Sequence, residues 1–252
     1  NTPKMHISLK WINELVNIES IKLDTLIEKL TLGGFEVEEI IEVEKNNQKQ
    51  IVLDISATAN RSDSLSIYGI STEIATLFDQ PLKISKFTLK NENWKKIFES
   101  KTSLFLESSS CSMLIGVVIE NLTIQTVPKW ITDKLLFSQI LPSNSLIDFQ
   151  NYILLETGYP FEFYDKKKID LKIKDSNFNL SIKNGNSDQK FLASNGITYD
   201  LDNSILTISA NEIPISIAGI ITANEFSISK STTSVLIEGS IFDAAKIRQQ
   251  SR

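Results

Sequence analysis

Cysteine and histidine are nearly absent from this chain of 252 residues. The single cysteine, Cys111, excludes a disulfide bond within the chain and fits a reducing compartment. His6 is the only histidine, so the sequence offers no Cys/His cluster with metal-ligand spacing. Nine glycines and six prolines are too few for a disordered or fibrous chain. We therefore expect a globular protein without a metal site of its own.

The chain also lacks an excess of positive charge and any long apolar run. Its formal net charge is −5, with Lys and Arg outnumbered by Asp and Glu. Since non-specific nucleic-acid affinity rests on clustered Lys and Arg, a role with nucleic acid would need a local patch or a basic partner. No run of about 18 apolar residues is present, so no membrane span is expected.

The clearest local pattern lies in residues 144–165. Three apolar residues fall at helical spacing and predict a helix: Leu146, Phe149 and Ile153. Gly158 is placed to end that helix, because glycine accepts the left-handed conformation found at many helix C-termini. Pro160 cannot continue the helix, so an extended or turning segment should follow up to Asp165.

The N-terminal third alternates predicted helices and strands. Ser8 is a predicted cap of the first helix, and Asp63 is a predicted cap of the third. The polar residues 45–50 are predicted to form a turn between two strands. The lysine-rich residues 82–99 are predicted to connect two domains.

From Ile169 onward the pattern changes to short strands. Alternation predicts strands at residues 170–174 and 179–183. Asn184-Gly185 and Asn195-Gly196 are predicted hairpin turns, because both residue types tolerate positive φ. The fold class is therefore predicted as α+β, with a small mixed α/β N-terminal domain at 1–90 and a larger, β-rich domain with helices at 95–252.

Residues 144–165 resemble the centre of the editing domain in the β subunit of bacterial-type phenylalanine–tRNA ligase. The residues in register with the family pattern are Asp148, Asn151, Tyr152, Glu156, Gly158, Pro160, Tyr164 and Asp165. One position departs, since Glu162 stands where the family usually has His. The resemblance implies that the domain at 95–252 is of the editing type.

Further motifs extend the resemblance over most of the chain. In the N-terminal third they are residues 7–11, 30–38 and 58–66, and further on they are residues 127–130, 218–220 and 236–238. Bacterial members usually carry an oligonucleotide-binding-type insert after the second of these pieces. The polar residues 45–50 leave no room for it. In this respect the chain resembles plastid-encoded versions.

The resemblance implies that the aminoacylation site lies on the α subunit of an α₂β₂ heterotetramer. This chain would then hold no residue catalytic for aminoacylation and no metal. ATP and Mg²⁺ would bind outside it, and the phenylalanine tRNA would be the macromolecular substrate. The expected location is the plastid (chloroplast) stroma, with the bacterial cytoplasm as the alternative. Since the chain begins without Met, we also expect it to be a fragment of a longer reading frame.

The resemblance also names editing-pocket candidates. Glu238 occupies the position of the Glu that accepts a hydrogen bond from the hydroxyl of a wrongly attached tyrosine. Its structural alternative is a solvated or strand-end carboxylate that holds loop structure. Asn151 is expected either to line the same pocket or to bond nearby backbone. Gly219 belongs to the Ala-Gly-Ile motif of the pocket.

Two substitutions in the pocket motifs favour a decayed editing site. Glu162 would repel phosphate and a neighbouring Glu. Thr222, where the family has Gly, would narrow the pocket or change the direction of the backbone. Two hypotheses therefore stand: a scaffold and tRNA/subunit-interaction segment with a degenerate pocket, or an active domain that hydrolyses tyrosine mischarged onto the phenylalanine tRNA. A third, unrelated hypothesis is a carbohydrate- or protein-binding α+β module.

Overall fold

The computed structural model describes residues 4–58, 61, 64–83, 103–106, 110–123 and 126–251. The chain divides into two compact units, one of residues 1–88 and 126–160 and one of residues 89–125 and 161–252. Helices and mostly antiparallel sheets make up both units, which confirms the predicted α+β class. The units assign residues 126–160 differently from the two predicted domains, and those domain limits stay a prediction. No described helix is long and apolar enough to cross a membrane.

The first unit is built on a three-stranded antiparallel sheet in the order β1-β3-β2. Its strands are β1 (Lys4–Ser8), β2 (Phe35–Lys45) and β3 (Gln48–Ala57). A tight turn at Asn46 and Asn47, both with positive φ, joins β2 to β3. The predicted turn is therefore confirmed, and it is even shorter than residues 45–50.

The described part of the first unit also contains five α-helices: α1 (Leu9–Leu15), α2 (Leu23–Leu32), α3 (Ile67–Leu77), α4 (Lys129–Phe137) and α5 (Leu146–Thr157). Apolar residues of α1, α2 and α3 form one core with the sheet that includes Ile7, Trp11 and Leu53, and α5 packs against it. Helix α4 packs with α5 in a smaller cluster around Ile131 and Leu135. The Trp11 ring stacks on Tyr152 of α5, with ring centroids 5.5 Å apart. Helix α5 is thus anchored to the same core as α1.

The helix ends test three sequence predictions. Ser8 caps α1 by accepting a hydrogen bond from the Trp11 N–H, as predicted. Gly158 ends α5 in the left-handed conformation with φ +77°, also as predicted. The cap of α3 is Ser66, whose hydroxyl accepts from the Gly69 N–H, so the prediction that Asp63 caps this helix is wrong. Asp63 itself lies outside the described residues, as does most of the predicted connector.

The described residues of the second unit form two main sheets and a two-stranded ribbon. The larger sheet has the order β12-β11-β10-β7-β4, and only its β4–β7 pair is parallel. These strands are β4 (Ser103–Leu106), β7 (Asn179–Asn184), β10 (Leu206–Ala210), β11 (Ile213–Ile217) and β12 (Ile221–Thr222). One apolar core, which includes Leu180, Ile208 and Phe226, lies against this sheet.

The smaller sheet of the second unit carries the candidate site. It has the order β5-β13-β6, with strands β5 (Cys111–Ile119), β6 (Glu162–Asp165) and β13 (Val235–Phe242). The ribbon pairs β8 (Gln189–Leu192) with β9 (Thr198–Leu201). Two helices, α6 (Lys166–Ile173) and α7 (Ala244–Gln250), follow β6 and β13 directly.

Two predictions for the β-rich part are wrong. Residues 170–174 were predicted as a strand, but most of them lie in helix α6, which begins after Asp165 accepts a hydrogen bond from the Lys168 N–H. Asn184-Gly185 is not a hairpin turn, because β7 pairs with β10 and not with β8. Asn195-Gly196 does lie in the hairpin loop between β8 and β9, where Gly196 has φ +81°.

Candidate functional site

Glu238 lies in the middle of the central strand of the smaller sheet. Strand β13 pairs on one side with β5, where Gly116 faces Glu238, and on the other with β6, where Glu162 faces it. Only 3% of the Glu238 surface is exposed. A carboxylate at a strand centre is unusual, since burying a charge is costly unless hydrogen bonds compensate for it.

Two hydroxyl groups of the chain donate hydrogen bonds to Glu238. Ser240, two residues along the same strand, donates to Oε1. Tyr164, on β6, donates to Oε2 over 3.5 Å. Side chains two apart on a strand lie on the same face, and Tyr164 is the diagonal cross-strand neighbour of Glu238. The two bonds therefore follow directly from the pairing register.

Burial sets the ionisation of Glu238. Loss of hydration raises the pKa of its carboxyl group from 4.5 to about 7, and the negative charge of Glu162 acts in the same direction. The hydrogen bonds from Ser240 and Tyr164 lower the pKa but do not offset burial. Near neutral pH the group is thus divided between its neutral and charged forms.

Tyr164 is fully buried and shares the surroundings of Glu238. Burial first, and then the negative charge of Glu238, hold the pKa of the Tyr164 phenol well above 10. The phenol therefore keeps its proton and can act as a donor. It belongs to the large apolar core of the second unit, so its ring is held on all sides.

Glu162 is half-buried and stands directly opposite Glu238. Like charges in direct cross-strand register repel each other. The negative charge of Glu162 accordingly raises the pKa of the Glu238 carboxyl group.

Thr222 and Gly219 lie at the edge of the larger sheet that is formed by β12. Thr222 pairs with Ser216 across β11 and β12, and the Ser216 hydroxyl lies beside the Tyr164 phenol and lowers its pKa. Gly219 is in the turn between these strands, with φ +67°. A side chain at Gly219 would meet Phe242 at 3.2 Å and Ile247 at 3.3 Å, so glycine permits a close approach there.

Asn151 lies half-buried on α5 in the first unit, whereas Glu238, Glu162, Gly219 and Thr222 lie in the second. Within the second unit the structure brings Glu238 and Glu162 face to face. Thr222 pairs with Ser216, whose hydroxyl lies beside the Tyr164 phenol.

Sequence reasoning missed the two donors to Glu238, Tyr164 and Ser240. Ser240 could have been found from the two-residue strand period, because it must share a face with Glu238. Tyr164 was noted only as part of the family motif. Its role depends on the pairing of β6 with β13, and no local pattern specifies that pairing.

A cleft of about 550 Å³ lies elsewhere in the second unit. Phe191, Ala223 and Phe226 contribute to its lining, and Lys172 and Glu225 lie at it as well. Neither Glu238 nor Glu162 lines it. Among the residues that the structure describes, no group of three or more His, Cys, Asp or Glu side chains could hold a metal ion.

Comparison with known proteins gives consistent matches. Residues 110–252 match the family model of the B3/4 domain. Over 98% of its length the chain is 57% identical to the chloroplastic phenylalanine–tRNA ligase β subunit of Phaeodactylum tricornutum, of which it covers 35%. The chloroplastic β subunit of Porphyra purpurea is 32% identical over 98% of the chain, which covers 34% of that protein.

A bacterial relative also matches. The phenylalanine–tRNA ligase β subunit of Trichormus variabilis is 32% identical over 80% of the chain, which covers 25% of that protein. The chain thus spans about a third or less of the length of these relatives. The matches confirm the resemblance that the sequence motifs indicated.

Proposed function

Because the chain belongs to the B3/4 domain family and its homologues are phenylalanine–tRNA ligase β subunits, we propose that it forms part of such a subunit in a plastid. In that role it supports the ATP-dependent attachment of phenylalanine to its tRNA. The aminoacylation site, with ATP and Mg²⁺, lies on the α subunit of an α₂β₂ enzyme in the stroma. The chain itself serves as a structural and tRNA/subunit-interaction segment. Family membership leaves no ground for the unrelated carbohydrate- or protein-binding module.

The editing pocket of this segment is degenerate. The observation that carries this proposal is the state of Glu238, which is almost fully buried and accepts hydrogen bonds from Ser240 and Tyr164. Glu162 faces it with a like charge. A carboxylate that recognises a substrate hydroxyl must be reachable from solvent. Glu238 is almost fully buried, and each of its oxygens already accepts one hydrogen bond from the chain.

A second candidate function is active editing. It is favoured by the retention of Glu238 at the family position and by its raised pKa of about 7. A buried carboxylate beside hydroxyl donors could exchange one internal donor for the hydroxyl of a tyrosine. A site built in this way would reject phenylalanine, because phenylalanine leaves the buried acceptor without a partner.

The test uses the complete α/β enzyme. The phenylalanine tRNA is charged with tyrosine, and its deacylation is followed with the wild-type enzyme and with Glu238→Ala. We expect hydrolysis no faster than in the enzyme-free control for both. Fast hydrolysis that is lost in Glu238→Ala would establish the active editing domain instead. Phenylalanine attachment serves as the control, since Glu238→Ala should leave it unchanged.

A further inference from the structure

Each carboxylate oxygen of Glu238 accepts one hydrogen bond from a donor of the chain itself. The Ser240 hydroxyl donates to Oε1, and the Tyr164 phenol donates to Oε2. Of these two donors, Tyr164 has the same chemical group as the side chain of a substrate tyrosine. A phenol bound to this carboxylate is the contact that the proposed pocket would need in order to select tyrosine.

The position of the Tyr164 phenol is fixed by backbone pairing on both sides. Its residue pairs with Leu236 of β13, and it forms a second, isolated bridge with Ser227. Its side chain is 0% exposed and is packed in the core of the second unit. A buried phenol needs a hydrogen-bond partner, and so does a buried carboxylate. The Tyr164 phenol and the Glu238 carboxyl group are therefore buried hydrogen-bond partners, over 3.5 Å.

We propose that the Tyr164 hydroxyl takes the place at Glu238 that a substrate tyrosine hydroxyl would take, which makes Tyr164 the residue that abolishes selection of tyrosine over phenylalanine. This inference rests on the proposed function, because it assumes that Glu238 belongs to a former editing pocket. It goes beyond that function by assigning the loss of specificity to one hydroxyl group.

The neighbours of Glu238 strengthen the effect of Tyr164. An incoming phenol would have to compete with a donor of the same kind that loses no freedom on binding. Glu162 stands across the strand pair and disfavours the charged form of Glu238, which is the better acceptor. Removing only the Tyr164 hydroxyl keeps the aromatic ring in the core and leaves Oε2 without its donor.

The experiment measures binding and not hydrolysis, in the complete α/β enzyme. The probes are two non-hydrolysable adenosine analogues that carry tyrosine or phenylalanine in a 3′-amide linkage. The readout is the ratio of their affinities for the wild type, Tyr164→Phe, Glu238→Gln and the double variant. Tyr152→Phe is the matched control, because the Tyr152 hydroxyl is also hydrogen-bonded to a glutamate, Glu156, on α5.

We expect the wild type, Glu238→Gln and Tyr152→Phe to bind both analogues with equal affinity, in the millimolar range or weaker. Tyr164→Phe should prefer the tyrosyl analogue by about tenfold, since a hydrogen bond from a phenol to the Glu238 carboxyl group is regained. The double variant should lose this preference. Tyr164→Leu also removes the hydroxyl, and the same affinity ratio is measured with it if Tyr164→Phe does not fold.

Two results would overturn the inference, and they differ in what they mean for the proposed function. If neither analogue binds measurably to the folded Tyr164 variants, the inference is wrong while the degenerate pocket stands. If the wild type already prefers the tyrosyl analogue tenfold, both the inference and the degenerate pocket are wrong.

Discussion

Each unit of the molecule contains a deeply buried carboxylate on a family motif, and the two are stabilised in different ways. Asp148 in the first unit is 0% exposed and accepts three hydrogen bonds of 2.8–2.9 Å, from the Ser143 and Asn144 N–H groups and the Ser143 hydroxyl. Glu238 in the second unit is 3% exposed, accepts only from two hydroxyls and faces another glutamate.

The difference indicates two roles. The hydrogen bonds of Asp148 explain it as a structural carboxylate, whereas no comparable structural role explains Glu238. Asp148 holds the turn before α5 and places a negative charge in the first turn of that helix, where it is favourable. Glu238 terminates no helix and bonds no backbone N–H in the described hydrogen bonds. Its environment raises its pKa and so opposes its charge. A residue with this environment is a candidate for former or present function.

The largest expected effect comes from breaking the structural carboxylate. Asp148→Ala leaves two partly buried backbone N–H groups and one hydroxyl without their acceptor, so we expect a loss of about 4 kcal/mol in the free energy of unfolding. Chemical denaturation followed by circular dichroism measures it. Ser143→Ala, which removes one of the three bonds, should cost about 1 kcal/mol. Equal losses in the two variants would contradict the structural role of Asp148.

The second prediction concerns the pH dependence that Glu238 gives to stability. Its folded-state pKa of about 7 lies above the ordinary 4.5, so between these values the folded protein holds a proton that the unfolded chain has released. The contribution of Glu238 to the free energy of unfolding is therefore fully present below pH 4.5, and it is lost as the pH rises through 7. At about 1.4 kcal/mol for each pKa unit, the loss is about 3 kcal/mol.

The matched variant for this prediction is Glu238→Gln, which keeps the shape but cannot ionise. Unfolding free energies of both proteins at pH 5 and pH 8 give the measurement. We expect the unfolding free energy of Glu238→Gln to increase relative to that of the wild type as the pH rises. A difference between the two proteins that does not change with pH would mean that Glu238 titrates normally and that the contrast with Asp148 is false.

The third prediction asks whether Gly219 is structural. Gly219→Ala should lower the unfolding free energy by about 2 kcal/mol, because the residue has positive φ and would crowd Phe242 and Ile247. Gly196→Ala is the control, since Gly196 also has positive φ but nothing within 4 Å of an added Cβ. It should cost about 1 kcal/mol. Equal costs would show that the contacts with Phe242 and Ile247 do not matter.

The smallest expected effect comes from an exposed carboxylate. Glu225 forms an ion pair of 2.8 Å with Lys172, and both side chains are about half exposed. Glu225→Gln should change the unfolding free energy by less than about 0.5 kcal/mol, and added salt should reduce this further. A change above 1 kcal/mol would show that the burial of a carboxylate does not by itself determine how much it contributes to the stability of this chain.

The sequence predicted those parts of the fold that depend on neighbouring residues. Helix α5 and its end at Gly158, the cap at Ser8 and the turn at residues 45–50 all follow from local patterns. The prediction of a strand at residues 170–174 is wrong because the Asp165 side chain caps a helix that includes most of them, although their apolar and polar residues alternate. The prediction of a hairpin turn at Asn184-Gly185 is wrong for a different reason, because β7 pairs with β10, which lies further along the chain than the next strand.

The candidate site shows the same limit. The position of Glu238 came from the family motif, but the sequence did not indicate which groups surround it. The Tyr164 contact spans 74 residues and exists only because β6 pairs with β13 in one register. Burial of Glu238 likewise depends on strands on both sides of β13. Long-range pairing of this kind leaves no trace in local periodicity.

The most direct test of the contrast between Asp148 and Glu238 is a titration of the Glu238 carboxyl group. Carbon-detected NMR on protein labelled at the glutamate side chains follows its chemical shift from pH 3 to pH 9, and Glu238→Gln identifies the signal. A midpoint near pH 7 is the predicted result. A midpoint at or below pH 4.5 would mean that Glu238 is as well stabilised as a structural carboxylate, and would contradict the account.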